Sequence, residues 1–256
     1  MANQMGNPVL TILAPIFFLH DGPEGQTSKA NTVYFNPSIY RIILFDQRGT
    51  GKSTPNAELR DNTIAHLVAD IEFLRLSFDF PQWSLIFGGA WGSAVAFLYS
   101  ELHPDRVGSL VLRGVYAGHK RELCWSRGEQ GAAGIFPEAW ELFVGFLPVE
   151  ERKNPVAGYY KRLTGTDEQI KSAAAREWNR WGLTIETLRV DENAFLILED
   201  EAWSLNHAIM EAHHAMQSYW FEVGRISEPE NLKKIAHIPT TIIQGRYDMV
   251  CPQRTA

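Results

Sequence analysis

Ser84-Leu85-Ile86-Phe87-Gly88-Gly89-Ala90-Trp91-Gly92-Ser93 is the stretch on which the fold turns. Ser84–Phe87 is a short apolar run of the kind that becomes a strand buried on both faces. Glycines crowd the positions that follow, and Ala90–Leu102 reads as a helix. A strand that passes directly into a helix needs a sharp turn, and side chains at its glycines would strike the adjoining strand or helix. Ala90 occupies the centre of that turn, with its side chain directed away from the sheet.

Three further apolar runs surround this one: Ile16–Leu19, Arg41–Phe45 and Ser109–Leu112. A fifth, Thr240–Gln244, comes much later. Ile16–Leu19 ends a longer apolar stretch beginning at Val9, which is too short to span a bilayer and contains Pro15. No basic residue precedes it, so it is a poor secretion signal and reads as a buried strand. Thr63–Ser77 puts Leu67, Ile71 and Leu74 on one helical face. Strand, turn, helix, strand in this rhythm predicts an α/β fold with a mostly parallel sheet flanked by helices. The segment from about Tyr116 to Ala236 has no clear strand and reads as several helices. The expected organisation is therefore a core of 1–115 and 237–256 with a helical cap of 116–236 inserted between two strands.

Composition narrows the functional classes. Hydrophobic residues make up 45% and charged residues 21%, an ordinary globular balance. The net charge of −6, with no lysine or arginine run, points away from nucleic acid and from anionic membrane surfaces. Cys124 and Cys251 form neither a CxxC pair nor a disulfide framework, so two reduced thiols in a cytoplasmic protein are expected, with no metal and no cofactor. Gly51-Lys52-Ser53 suggests a phosphate loop, but that motif needs glycine where Asp46 stands.

Gly88-Gly89-Ala90-Trp91-Gly92 has the context of a nucleophile elbow, G-x-S-x-G, with alanine in place of serine. Five other motifs accompany it in order: His20-Asp21-Gly22-Pro23, Asp46-Gln47-Arg48-Gly49, Leu112-Arg113-Gly114, Ile135-Phe136-Pro137-Glu138-Ala139-Trp140 and Gly245-Arg246-Tyr247-Asp248. Together they resemble the HGGPG, DQRG, LRG, IFPxAW and GRYD motifs of the proline iminopeptidases, from about Phe18 to Pro252. The resemblance implies an α/β-hydrolase fold and, as ancestral reaction, release of N-terminal proline by a serine–histidine–aspartate triad. It places Ala90 at the nucleophile position and Asp248 at that of the triad acid. The Trp91 N–H becomes one oxyanion donor, and the loop around Gly22 supplies the other. Met210-Glu211-Ala212-His213-His214 resembles the family's R-I-E-N-H-Y/F segment, which makes Glu211 an amine-binding carboxylate. A helix-face role is the alternative for Glu211, and His213 and His214 read as ordinary helix residues.

The departures from the family matter as much. Ala90 has no hydroxyl, and none of the eight histidines follows Asp248. Family members carry the catalytic histidine beyond the position of Ala256. His237, ahead of the late strand, is badly placed for the role. Asp21 and Glu24 put two carboxylates beside the expected oxyanion site. Gly182 replaces the glutamate of the family's W-x-x-W-E, and only about 15 residues precede Ile16. Three readings follow. One is a hydrolytically silent relative that binds a small or N-terminal-proline-like ligand, or a partner. A second is a repurposed non-hydrolytic catalyst (isomerase, lyase or cyclase) with Asp21, Glu211 and Asp248 as acids and bases. The third is an active prolyl aminopeptidase seen in a Ser-to-Ala or truncated form. The late strand is expected to leave an open sheet edge, covered by a homodimer or a partner chain.

Overall fold

The structure, a computed structural model, describes residues 13–217 and 225–256. The first part of the apolar stretch from Val9 lies outside the described residues. Five parallel strands form one sheet: β1 (Ala14–Leu19), β2 (Tyr40–Phe45), β3 (Leu85–Gly89), β4 (Leu110–Arg113) and β5 (Thr240–Ile243), in the order β2-β1-β3-β4-β5. Each expected strand is present, with ends displaced by one or two residues. Ser84 and Ser109 lie just outside the ladder, which continues instead into Gly89 and Arg113.

The pleat of β1 explains the two-sided core. Phe17 and Leu19 point to one face, where they meet Ile64, Leu67, Val68 and Ile71 of α1 (Ile64–Ser77) and Val95 and Tyr99 of α2 (Trp91–Leu102). Ile16 and Phe18 point to the other face and pack with Phe35 and Phe87. Full burial of each such side chain stabilises by about 1.5–3 kcal/mol relative to exposure. Four residues of β1 thus commit this inner strand, next to the β2 edge, to the interior. The edges differ: β2 is only partly covered, and Ile242 and Ile243 of β5 are 46% and 50% exposed.

Between β4 and β5 lie α3 (Lys120–Arg127), α4 (Pro137–Gly145), α5 (Pro155–Leu163), α6 (Glu168–Glu186), α7 (Glu201–Gln217) and α8 (Pro229–Ile235). The helices α4 to α7 have their own core of stacked rings. Phe143 and Tyr159 lie 4.6 Å apart and nearly parallel, and Trp178 and Trp181 close around them. Ile226 and Ile235 pack with the sheet's own core beside α2. Among the described residues, no helix is long and apolar enough to cross a membrane.

Candidate active site

The turn after β3 has the expected construction. A Cβ on Gly88 would collide with the carbonyl of Gly92, and one on Gly92 would lie 2.7 and 2.8 Å from the carbonyl oxygens of His20 and Leu19. Between them Ala90 adopts φ 43° and ψ −115°, a conformation that L-residues rarely hold and that costs of order 1–3 kcal/mol. The strain is fixed by neighbours: the Ala90 N–H donates to Arg113 O at 2.9 Å, and the Ala90 carbonyl accepts from Ser93 N and Ser93 Oγ. The side chain so presented is a methyl group.

The His20–Gly25 loop lies against this turn. Gln47 N–H donates to His20 Nε2 at 3.2 Å, so the ring proton sits on Nδ1 and is donated to Gly22 O at 2.7 Å. Both ring nitrogens are thereby committed to holding the loop. Burial lowers the His20 pKa to about 4, which keeps the ring neutral. The Asp46-Gln47-Arg48-Gly49 motif is scaffolding around it. Asp46 accepts from Thr27 and Lys52, Gln47 Oε1 accepts from Trp91 Nε1 at 3.0 Å, and Arg48 clamps Asp70 with two hydrogen bonds at 2.5 and 2.7 Å.

Trp91 N–H, one of the expected oxyanion donors, already donates to Asp21 O at 2.8 Å. The Asp21 carboxylate pairs with Arg113 and rests against Gly89. Gly22, the other expected donor, lines the same small cavity of about 120 Å³ as Asp21, Glu24, Ala90, Trp91, Arg127, Glu211 and His214. Asp248 stands beyond β5, where its Oδ1 accepts from the backbone N–H groups of Val250 and Cys251 and its Oδ2 from Gln244. It shapes its own turn and lies near Gly114 at the end of β4.

The cap supplies charge to the cavity. Glu211 accepts from Arg127 and, at 2.6 Å, from Trp178 Nε1. The Arg127 guanidinium lies 4.8 Å from the Trp178 ring and is 5% exposed. A Cβ at Gly182 would lie 3.6 Å from Arg127 Nη2, so the residue missing its carboxylate borders this same guanidinium. Glu24 reaches in from the His20–Gly25 loop. Burial, reinforced by the nearby Glu211 charge, raises its pKa well above the usual carboxylate range. His213 bonds to Asn62 O at 2.9 Å, and His214 packs its ring 4.8 Å from Trp91. His237 is exposed, ahead of β5.

Two residues of this group were not singled out as ligand-binding by the sequence. Glu24 reads there only as an electrostatic obstacle, and His207 lies in none of the motifs. The signal for His207 was its place four residues before Glu211 on one helix, which puts both on the same face. His207 Nε2 lies 3.6 Å from Glu24 Oε1.

A parallel sheet, an inserted helical cap and a strained strand-to-helix turn facing a cavity define an α/β-hydrolase-fold protein, and residues 15–256 match the family described as the alpha/beta hydrolase fold. Within that fold, the chain belongs to the proline iminopeptidase family. It is 45% identical over 253 residues to a probable proline iminopeptidase of Leptolyngbya boryana, covering 99% of this chain and 77% of the relative. It is 46% identical over 243 residues to a proline iminopeptidase of Arabidopsis thaliana, covering 94% of this chain and 63%, less than two thirds, of the plant protein. Solved structures agree on the fold. An acetylester hydrolase of Corynebacterium glutamicum superimposes with a TM-score of 0.58 at 15% identity, over 94% of this chain and 73% of that one. An α/β hydrolase from a Medee basin deep-sea metagenome library gives 0.57 at 15% identity, over 97% and 78%.

Proposed function

We propose that this chain is a hydrolytically silent member of its family, one that keeps the capped cavity as a binding site for a small molecule bearing a cationic amine, of the N-terminal-proline type. The observation that carries the reading is the methyl group of Ala90 at the centre of the strained turn. Acyl transfer by the family route starts with attack by an oxygen lone pair, and a methyl group has none. Loss of the serine in a triad enzyme costs about 10⁶ in turnover. The Trp91 N–H is also spent on Asp21 O, and losing one oxyanion donor costs a further ~10²–10³.

What remains favours binding. The cavity is far smaller than the roughly 300–1,000 Å³ of drug-sized sites, so it suits a single ring rather than a peptide. Glu211 and Glu24 face Arg127 on its wall, and an entering cation would draw Glu24, whose pKa burial raises, into its ionised form. The relatives' name, proline iminopeptidase, supplies the ligand class. The test is twofold. Turnover of prolyl p-nitroanilide is expected at background, while L-prolinamide is expected to bind in calorimetry, and weaker in Glu211→Gln. Turnover well above background defeats the silent reading. No heat of binding defeats the ligand reading.

A further inference from the structure

We propose that Glu24, His207 and Glu211 form a divalent-metal site of the Zn²⁺ kind in the wall of the cavity. Each of the three offers one ligand atom, and these atoms lie within 4.8 Å of one another. One imidazole and two carboxylates is a donor set that Zn²⁺ accepts, and three protein ligands leave a fourth position open to the cavity. The inference goes beyond the silent-hydrolase reading and does not depend on it: the metal needs no nucleophile, and because it uses Glu24 and Glu211 it competes with a cationic amine for the same carboxylates.

The hydrogen bonds around the cluster are those that a metal ligand set requires. Asn179 Nδ2 donates to Ser204 O and Ser204 Oγ, at 2.8 and 3.0 Å, which leaves Asn179 Oδ1 as an acceptor. That oxygen lies 2.9 Å from His207 Nδ1, so the ring proton is on Nδ1 and the Nε2 lone pair is free. Metal-bound histidines are oriented in this manner, by a partner on the far ring nitrogen. The Nε2 lone pair faces Glu24 Oε1 at 3.6 Å. Two acceptors that face each other gain nothing unless a proton or a cation lies between them. Ligand atoms around a tetrahedral Zn²⁺ stand about 3.4 Å apart, given bonds of about 2.1 Å, so little movement is needed on this side.

Glu24 supplies an independent sign. Its Oε2 is sealed from solvent and has no hydrogen-bond partner among the described residues. A sealed, unpartnered carboxylate oxygen is costly and calls for a proton or a cation. Glu211 is held from behind by Arg127 and Trp178 Nε1, one donor for each oxygen, and keeps lone pairs free on both. Glu186 adds its negative charge to the neighbourhood of Glu24, against the single charge of Arg127. A divalent ion offsets that excess.

The test titrates ZnCl₂ into chelator-stripped protein by calorimetry. One ion per chain is expected, with affinity falling at least tenfold in Glu24→Gln and in His207→Ala. No binding, or one-to-one binding unchanged in both variants, overturns the proposal. If the variants fail to fold, zinc-edge X-ray absorption of the unsubstituted protein decides. A shell of nitrogen and oxygen with a single imidazole supports the site. Sulfur in the shell, two or more imidazoles, or no bound zinc defeats it. Titrating L-prolinamide separately, with and without zinc, keeps a failure of the amine reading distinct from a failure of this one.

Discussion

The amide nitrogen of Trp91 donates to the carbonyl oxygen of Asp21 at 2.8 Å. In a serine hydrolase of this fold, the amide after the nucleophile receives the developing oxyanion. Here it is satisfied by the loop that normally supplies the second donor. Restoring the hydroxyl alone is therefore expected to achieve little. In Ala90→Ser, prolyl p-nitroanilide turnover should stay within about tenfold of the parent, because a serine with neither a positioned histidine base nor a free oxyanion donor performs about as poorly as no serine at all. Steady-state kinetics checks this, and a rise of a thousandfold would refute it.

The turn at Ala90 retains its strain without a nucleophile to present. A non-glycine residue at φ 43° carries of order 1–3 kcal/mol, whereas glycine there loses only about 0.5–1 kcal/mol in extra chain entropy. Ala90→Gly should therefore be more stable by about 1 kcal/mol, read as a higher urea midpoint at unchanged slope. A lower midpoint would show that the turn is not strained.

Arg127 is the cation of the cap cluster, almost fully buried between Glu211 and the Trp178 ring. Removing one partner of a buried ion pair costs about 3–5 kcal/mol, because the remaining charge is left without compensation. Arg127→Ala is expected to lose about 3 kcal/mol in chemical denaturation. A loss below about 1 kcal/mol would place the pair in effective contact with water.

Buried histidines set the acid limit, His20 and His214 among them. Burial lowers the pKa of His20 to about 4 and that of His214 to about 3, from an ordinary value of 6.5. Between these limits the unfolded chain binds the protons that the folded chain refuses, so stability rises with pH. It is full above about 6.5 and falls as pH drops from there to about 4 for His20 and about 3 for His214, where the loss is complete. Two such groups give at most about 2.7 kcal/mol per pH unit. Glu72, held at about 2 by Arg75, adds to the loss once pH falls below 4.5. Urea unfolding at pH 7 and pH 5 should differ in this sense, and equal midpoints would contradict the burial of both rings.

The sequence by itself determined the α/β order, all five strands, the glycine-built turn and the absence of an oxygen at Ala90. These are local properties: two-residue and helical periodicities, and side-chain volume at a sharp turn, act over a few neighbouring residues. Which core receives Ile226 and Ile235 was not legible, because the two residues carry no mark of it. Only the tertiary structure decided that the Trp91 amide is spent on Asp21, that Asp248 shapes its own turn, and that Glu24 meets His207 and Glu211. Those pairings join residues far apart in the chain. They follow from how the cap is set on the sheet, which the packing of many side chains fixes together.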